Sequence, residues 1–184
     1  MHDRYSRLPL DVVLRADCLL LLGSNVTEEN PVTGYLIREA LQGRQRAAGR
    51  QLFVASSRPC GLDDVARARL RLLPGAEGLF LSRLTAEEAP AETSVKTDQM
   101  TDFVLAAREA VAQADSVTLL IGTEFMRTSG AGEVLHWIDQ AIGSLEQRGR
   151  RVFLPFLFDR PNQLGVWARG WLAGLAPGRP LIPL

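Results

Sequence analysis

The chain is poor in the residues that carry independent chemistry. Among 184 residues there are two cysteines, Cys18 and Cys60, and two histidines. Two thiols cannot ligate an iron–sulfur cluster within one chain, and they give no disulfide framework. His136 has no His or Cys partner at metal-ligand spacing, which excludes a zinc or iron site around it. No HExxH, nucleophile elbow, GxGxxG or GxxxxGK[ST] occurs. Charge of one sign is lacking too. Lys plus Arg and Asp plus Glu are 21 each, so the formal net charge is zero and no field favours nucleic acid or an anionic membrane. Apolar runs fall far short of the roughly 18 to 20 residues that cross a bilayer, and no basic segment precedes a cleavable one. A cytoplasmic chain with no nucleic-acid partner, no direct membrane insertion and no catalytic residues of its own is expected.

What is present is an apolar pattern. With 46% hydrophobic residues, the length supports one domain with a single sizeable core. The stretch Ala16 to Leu41 organises it. Cys18 to Leu22 is short, continuous and apolar, as in a strand covered on both faces. Gly23, Ser24 and Asn25 break it. Asn30 as N-cap and Pro31 in the first turn then start a helix with a buried stripe of Val32, Leu36, Ile37, Ala40 and Leu41. A helix start at a strand tip is where open parallel sheets hold phosphates. A well-capped helix with no ligand gives the same local pattern.

Further strands are expected at Gln51 to Ser56 and Ala68 to Leu73, separated by a short helical turn from Asp63 to Arg67. A helix carrying Leu79, Phe80, Leu81 and Leu84 follows. After a polar loop from Thr85 to Gln99, Thr101 is expected to cap a helix lined by Phe103, Ala107, Ala110, Val111 and Ala114. Ala114-Asp115 and the strand Ser116 to Ile121 then echo Ala16-Asp17 and the first strand. A second amphipathic helix with Ile138, Ala141, Ile142 and Leu145 on its stripe ends at Arg148-Gly149, before a strand from Val152. The whole reads as one α/β domain, residues 1–184: a Rossmann-like, doubly wound, mostly parallel sheet with helices on both faces. Two similar β-α-β halves span about 10–84 and 101–170, with a surface tail at 171–184. Cys18 is expected in the core and Cys60 at the surface.

Within Ala16 to Leu41 the series Ala16-Asp17, apolar strand, Gly23-Ser24-Asn25, Thr27-Glu28, Pro31-Val32, Ile37-Arg38 and Ala40 resembles the molybdopterin oxidoreductase superfamily. The resemblance covers most of residues 10–170. It implies cofactor-facing positions at Gly23, Ser24, Asn25, Thr27 and Glu28, at Arg58, and in the turn Pro74 to Glu77, where Gly75 and Glu77 match. In cofactor-holding members the acid at Glu77 reads a guanine edge; here it also suits the first turn of a helix. This sequence departs from the family where Ser56-Ser57-Arg58 replaces Asp-Pro-Arg, and where Val166 and Trp167 add bulk between Asn162 and Gly170.

Two branches of the superfamily share the motif. The short Thr85 to Gln99 link and the departures favour the large peripheral-arm subunit of NADH-quinone oxidoreductase, its G-type subunit. That resemblance implies a structural domain without a cofactor, partnered by other domains or subunits of a respiratory complex I, peripheral to the inner membrane, with iron–sulfur clusters elsewhere in the parent protein. The alternatives are a formate-dehydrogenase-like fragment holding molybdopterin guanine dinucleotide, and a stand-alone nucleotide-binding module.

Overall fold

The computed structural model describes residues 15–42, 49–86, 99–122, 124 and 131–154, with the side chains of 131–135 excepted. Five strands, β1 (Cys18–Leu22), β2 (Gln51–Ser56), β3 (Ala68–Arg71), β4 (Ser116–Ile121) and β5 (Arg151–Phe153), form one sheet in the order β3-β2-β1-β4-β5. All four pairings are parallel. The α/β architecture with a doubly wound parallel sheet is therefore observed.

The central strands are buried end to end, β1 and β4 at every position, which is why both are continuous apolar runs. Alternate residues feed two cores. On one face Cys18, Leu20, Leu22, Phe53 and Leu119 pack against α3 (Glu77–Thr85), α4 (Gln99–Gln113) and α5 (Ala131–Gln147). On the other, Leu19, Leu21, Leu52, Val54 and Leu120 meet Val26 of α1 (Val26–Glu29) and Ile37 and Leu41 of α2 (Pro31–Gln42). The chain moves one way across the sheet through α2 and back through α3 and α4. Connections of one hand must then lie on opposite faces, as they do.

Aromatic packing fixes the larger core. The Phe103 ring stands edge-on to Phe53, with centroids 5.8 Å apart, and lies the same distance from Phe80. Trp137 on α5 fills the space over Gly78 on α3, where a Cβ would stand 0.7 Å from its ring.

Asp17 Oδ2 accepts hydrogen bonds from Ser116 Oγ at 2.8 Å, Ser116 N at 3.0 Å and Asp115 N at 3.2 Å, tying β1 to β4 at their starts. A Gly-Arg pair precedes both β2 and β5. Gly49 and Gly149 take positive φ, and the following arginines donate to matching carbonyls: Arg50 Nε to Ala16 O at 3.0 Å, Arg150 Nη1 to Ala114 O at 2.7 Å.

Several local expectations are corrected. Val32 is 66% exposed and the buried face of α2 is Thr33, Gly34, Ile37 and Leu41. The helix is turned that way because Gly34 meets Thr27 closely; a Cβ there would lie 3.0 Å from Thr27 Cα. Cys60 is buried, because mutual bonds between Cys60 and Asp63 fold the loop inward beside Leu62. The short helical turn expected from Asp63 to Arg67 lies slightly earlier: residues 61–65 form turns, with Val65 N and Ala66 N both donating to Leu62 O, and Arg67 N already bonds Leu52 O at 2.8 Å. β3 ends at Arg71: the bond from Leu72 N to Ser56 O is the last toward β2, and the chain then turns at Pro74 and Gly75. Thr101 lies inside the first turn of α4, which starts at Gln99. Asn162, Val166, Trp167, Gly170 and the tail from 171 lie outside the described residues.

Candidate functional site

Strands β1 and β4 are neighbours whose onward connections leave toward opposite sheet edges, so their carboxyl ends open the crevice where α/β proteins take ligands. Here the two tips meet closely. Gly23, at φ +61°, donates to Ala55 O at 2.8 Å; Gly122 N donates to Leu22 O at 2.8 Å and Glu124 N to Gly23 O at 3.1 Å. A Cβ on Gly122 would stand 2.2 Å from both Gly23 O and Ser24 Cβ. Only glycine permits that approach.

The helix nearest the tip is α1, a single turn, and not the longer α2. Asn30 does cap α2, accepting from Thr33 N at 3.3 Å and Thr33 Oγ1 at 2.9 Å. It does so one turn further along, after α1. At the tip the donors are engaged by the chain itself. Ser24, fully buried, donates from Oγ to Glu29 Oε2 at 2.8 Å, and Asn25 N donates to Glu29 Oε1 at 3.3 Å. Both oxygens of one carboxylate thus sit on the turn that a phosphate would use.

The residues expected at the site divide into three groups. Gly23, Ser24 and Asn25 form the turn, with Asn25 Oδ1 accepting from Thr27 Oγ1 at 2.8 Å and Gly61 N at 3.2 Å. Thr27 is turned away into a slot between Gly34 and Gly61, where a Cβ on Gly61 would lie 2.2 Å from its Oγ1. Glu28 is exposed. Arg58, with a side chain 68% exposed, approaches the crevice only through Glu124, its Nε 3.8 Å from Oε1, and Ser57 Oγ also donates to Glu124. Glu77 is 4% exposed and lines the space below, whereas Gly75 has open space around its missing Cβ and serves the turn through its φ of +88°.

Glu29 and Glu124 were not among the residues expected from sequence. Glu29 follows the matched Glu28, and only the four-residue helix aims it back at the turn. Glu124 is placed by the bond from its own N–H to Gly23 O. The space left among Gly23, Ser57, Leu72, Glu77 and Glu124 is about 10 Å³, room for about one water. Three carboxylates, Glu29, Glu77 and Glu124, surround this end, against the exposed guanidinium of Arg58 and that of Arg71, which reaches Ser56 Oγ at 3.4 Å and pairs with Asp63. A diphosphate placed here would be desolvated beside like charges.

Neither cysteine offers a nucleophile. Burial pushes the Cys18 thiol up to about 12, with the Asp17 charge adding to it, and burial also raises Cys60. Among the described residues no group of three or more His, Cys, Asp and Glu is disposed to hold a metal, and no helix is long and apolar enough to cross a membrane.

No family model matches the chain. It is 38% identical, over 95% of its length, to an NADH-quinone oxidoreductase subunit of Rhizobium meliloti (strain 1021), the second of its G type. The match is to one segment of that subunit. It spans 22% of that relative's length. In structure it is similar to part of the formyltransferase/hydrolase complex from Methylorubrum extorquens in complex with methylofuran, with a TM-score of 0.54 and 20% identity over 91% of this chain and 44% of that one. The structural likeness is one of fold. The relation to the oxidoreductase subunit covers nearly the whole chain and favours neither the formate-dehydrogenase-like nor the stand-alone alternative.

Proposed function

We propose that the chain is a cofactor-free structural domain of the G-type subunit, which shapes and holds a peripheral part of an NADH-quinone oxidoreductase while electrons pass from NADH to quinone elsewhere in the complex. Its partners are other domains or subunits of that complex, and its place is the cytoplasmic side, peripheral to the inner membrane. The observation that carries the reading is the Glu29 carboxylate seated on Ser24 and Asn25. It takes up two donors at the strand tip, Ser24 Oγ and Asn25 N–H, and the space left among the described residues admits about one water. Among the described residues, the strand-tip arrangement does not fit a molybdopterin guanine dinucleotide. Gly23, Ser24, Asn25, Arg58 and Glu77 keep positions resembling those of cofactor-holding relatives, but the turn donors engage Glu29 and Arg58 reaches Glu124.

A chimera tests the assignment. The matching segment of a full-length G-type subunit is replaced by this chain, and complex assembly and NADH-quinone activity are followed in isolated membranes. Assembly with activity near that of the parent is expected. Loss of assembly from a chimera that folds and accumulates would overturn the reading.

A further inference from the structure

Helix α2 is apolar on two sides. Ile37 and Leu41 pack on the sheet, while Pro31, Val32 and Tyr35 stand exposed and Leu36 is half-buried. Val32 and Tyr35, at 66% and 62%, keep most of their surface outside. Single exposed apolar side chains are ordinary. Val32, Tyr35 and Leu36 differ in lying at i, i+3 and i+4, neighbours on one outward stripe, and a helix that is apolar all round belongs in a buried setting. The outward face of α5 is the contrast: between 136 and 147 its exposed residues are His136, Gln140 and Gln147.

Charge flanks the stripe. Glu28 precedes it and Glu39 continues it one turn on; both are exposed, and neither carboxylate has a hydrogen bond or ion pair among the described residues. Arg38, the one cation in α2, pairs with Asp64 at 2.7 Å and donates to Gly61 O. A partner that suits this face therefore has an apolar ridge flanked by positive charge. A second copy of the chain does not, since it would bring Glu28 and Glu39 against the same acids. Size narrows the source. Two turns of one helix offer far less than the roughly 800 Å² a side of a stable free-standing complex. They suffice for a partner tethered nearby, at an effective concentration of about millimolar. The chain spans 22% of the length of the G-type relative, so most of such a subunit is left to supply one.

We propose that the outward stripe of α2 docks a basic amphipathic helix from another part of the parent G-type subunit, an inference that rests on the assignment above. The apolar ridge of that helix covers Val32, Tyr35 and Leu36 by ridge-into-groove packing. Lysine or arginine on its flanks pairs with Glu28 and Glu39, which sets its register more than its affinity.

The chain alone, the isolated chimeric subunit and the assembled complex containing it are exposed to hydroxyl radicals, and oxidation of Tyr35 is read by mass spectrometry. Tyr35 is expected to react several-fold more slowly in the isolated subunit than in the chain alone. Glu28→Lys with Glu39→Lys should return it to the faster rate without lowering the melting temperature of the chain. Equal rates in the chain and the subunit, protection that arises only in the assembled complex, or protection that survives the double charge reversal would overturn the proposal. The readout is local to α2. A chimera that assembles with Tyr35 unprotected refutes the docking alone, and one that protects Tyr35 but fails to assemble refutes the assembly role alone.

Discussion

Replacing Gly122 by alanine probes the contact on which the closed crevice depends. The new Cβ would fall 2.2 Å from Gly23 O, 2.2 Å from Ser24 Cβ and 2.7 Å from Gly23 C. Ordinary contact begins near 3.4 Å, so the tips of β1 and β4 must separate by about 1 Å, and the obstacles are two backbone atoms and a Cβ, none of which a rotamer change can move. Separation strains two further bonds, Gly122 N to Leu22 O and Glu124 N to Gly23 O. Overpacking of about 2 kcal/mol and one weakened backbone bond of about 1 kcal/mol give a loss near 3 kcal/mol. For a chain of this size that lowers Tm by roughly 6 to 12 °C. Urea denaturation followed by far-UV circular dichroism measures it. Gly143→Ala is the control, because a Cβ there meets nothing within 4 Å inside α5, and it should stabilise by up to about 1 kcal/mol. If Gly122→Ala unfolds within about 0.5 kcal/mol of the parent, the close approach of the strand tips is not a feature of the folded protein.

Other outcomes follow from the same geometry. Asp17→Ala should cost about 1 to 2 kcal/mol at neutral pH, since a largely exposed carboxylate loses three hydrogen bonds. Burial raises the Asp17 carboxyl, but bonds from Ser116 and Asp115 and the Arg50 charge outweigh it and hold the group below the usual carboxylate range. Its contribution is therefore present above about pH 4 and is lost as pH falls through the lowered value; acid titration of Tm should show the parent and Asp17→Ala converging there. Asn30→Ala removes the α2 cap and should lower stability by about 1 kcal/mol in urea. Both cysteines should resist a thiol reagent at about pH 8 in the native state and react once urea unfolds the chain, with rates that track global opening; fast native labelling of Cys60 would contradict its burial.

The parts of the fold that sequence carried well are those decided by burial on two faces or by regular period. Cys18 to Leu22, Gln51 to Ser56 and Ser116 to Ile121 are read correctly because, past the half-buried Gln51 at the start of β2, every residue in these central parallel strands is buried and apolar or small. Phe103, Ala107, Ala110 and Val111 follow the 3.6-residue period and are buried as expected. What was not legible depends on contacts between segments distant in sequence. Val32 fits the apolar period of α2, yet the Thr27 contact with Gly34 turns the helix away from it. Cys60 sits in a proline–glycine loop that reads as surface until Asp63 folds it inward. At the site the resemblance located the turn but named Glu28, the exposed neighbour of the acid that closes on Ser24. That difference is set by a one-turn helix too short to leave a periodic signal. The pairing of Glu124 with Ser57 joins two loops that no local pattern connects.

The measurement that bears most directly on the self-closed crevice is calorimetric titration of the chain with GDP, half of the guanine dinucleotide. With Glu29 on Ser24 and Asn25 and space for about one water below, the account predicts no saturable heat up to millimolar GDP and no rise in Tm. Micromolar binding that is lost in Glu77→Ala, with stability rising by about 4 kcal/mol at a thousand times the dissociation constant, would contradict it and return a nucleotide to the strand tips.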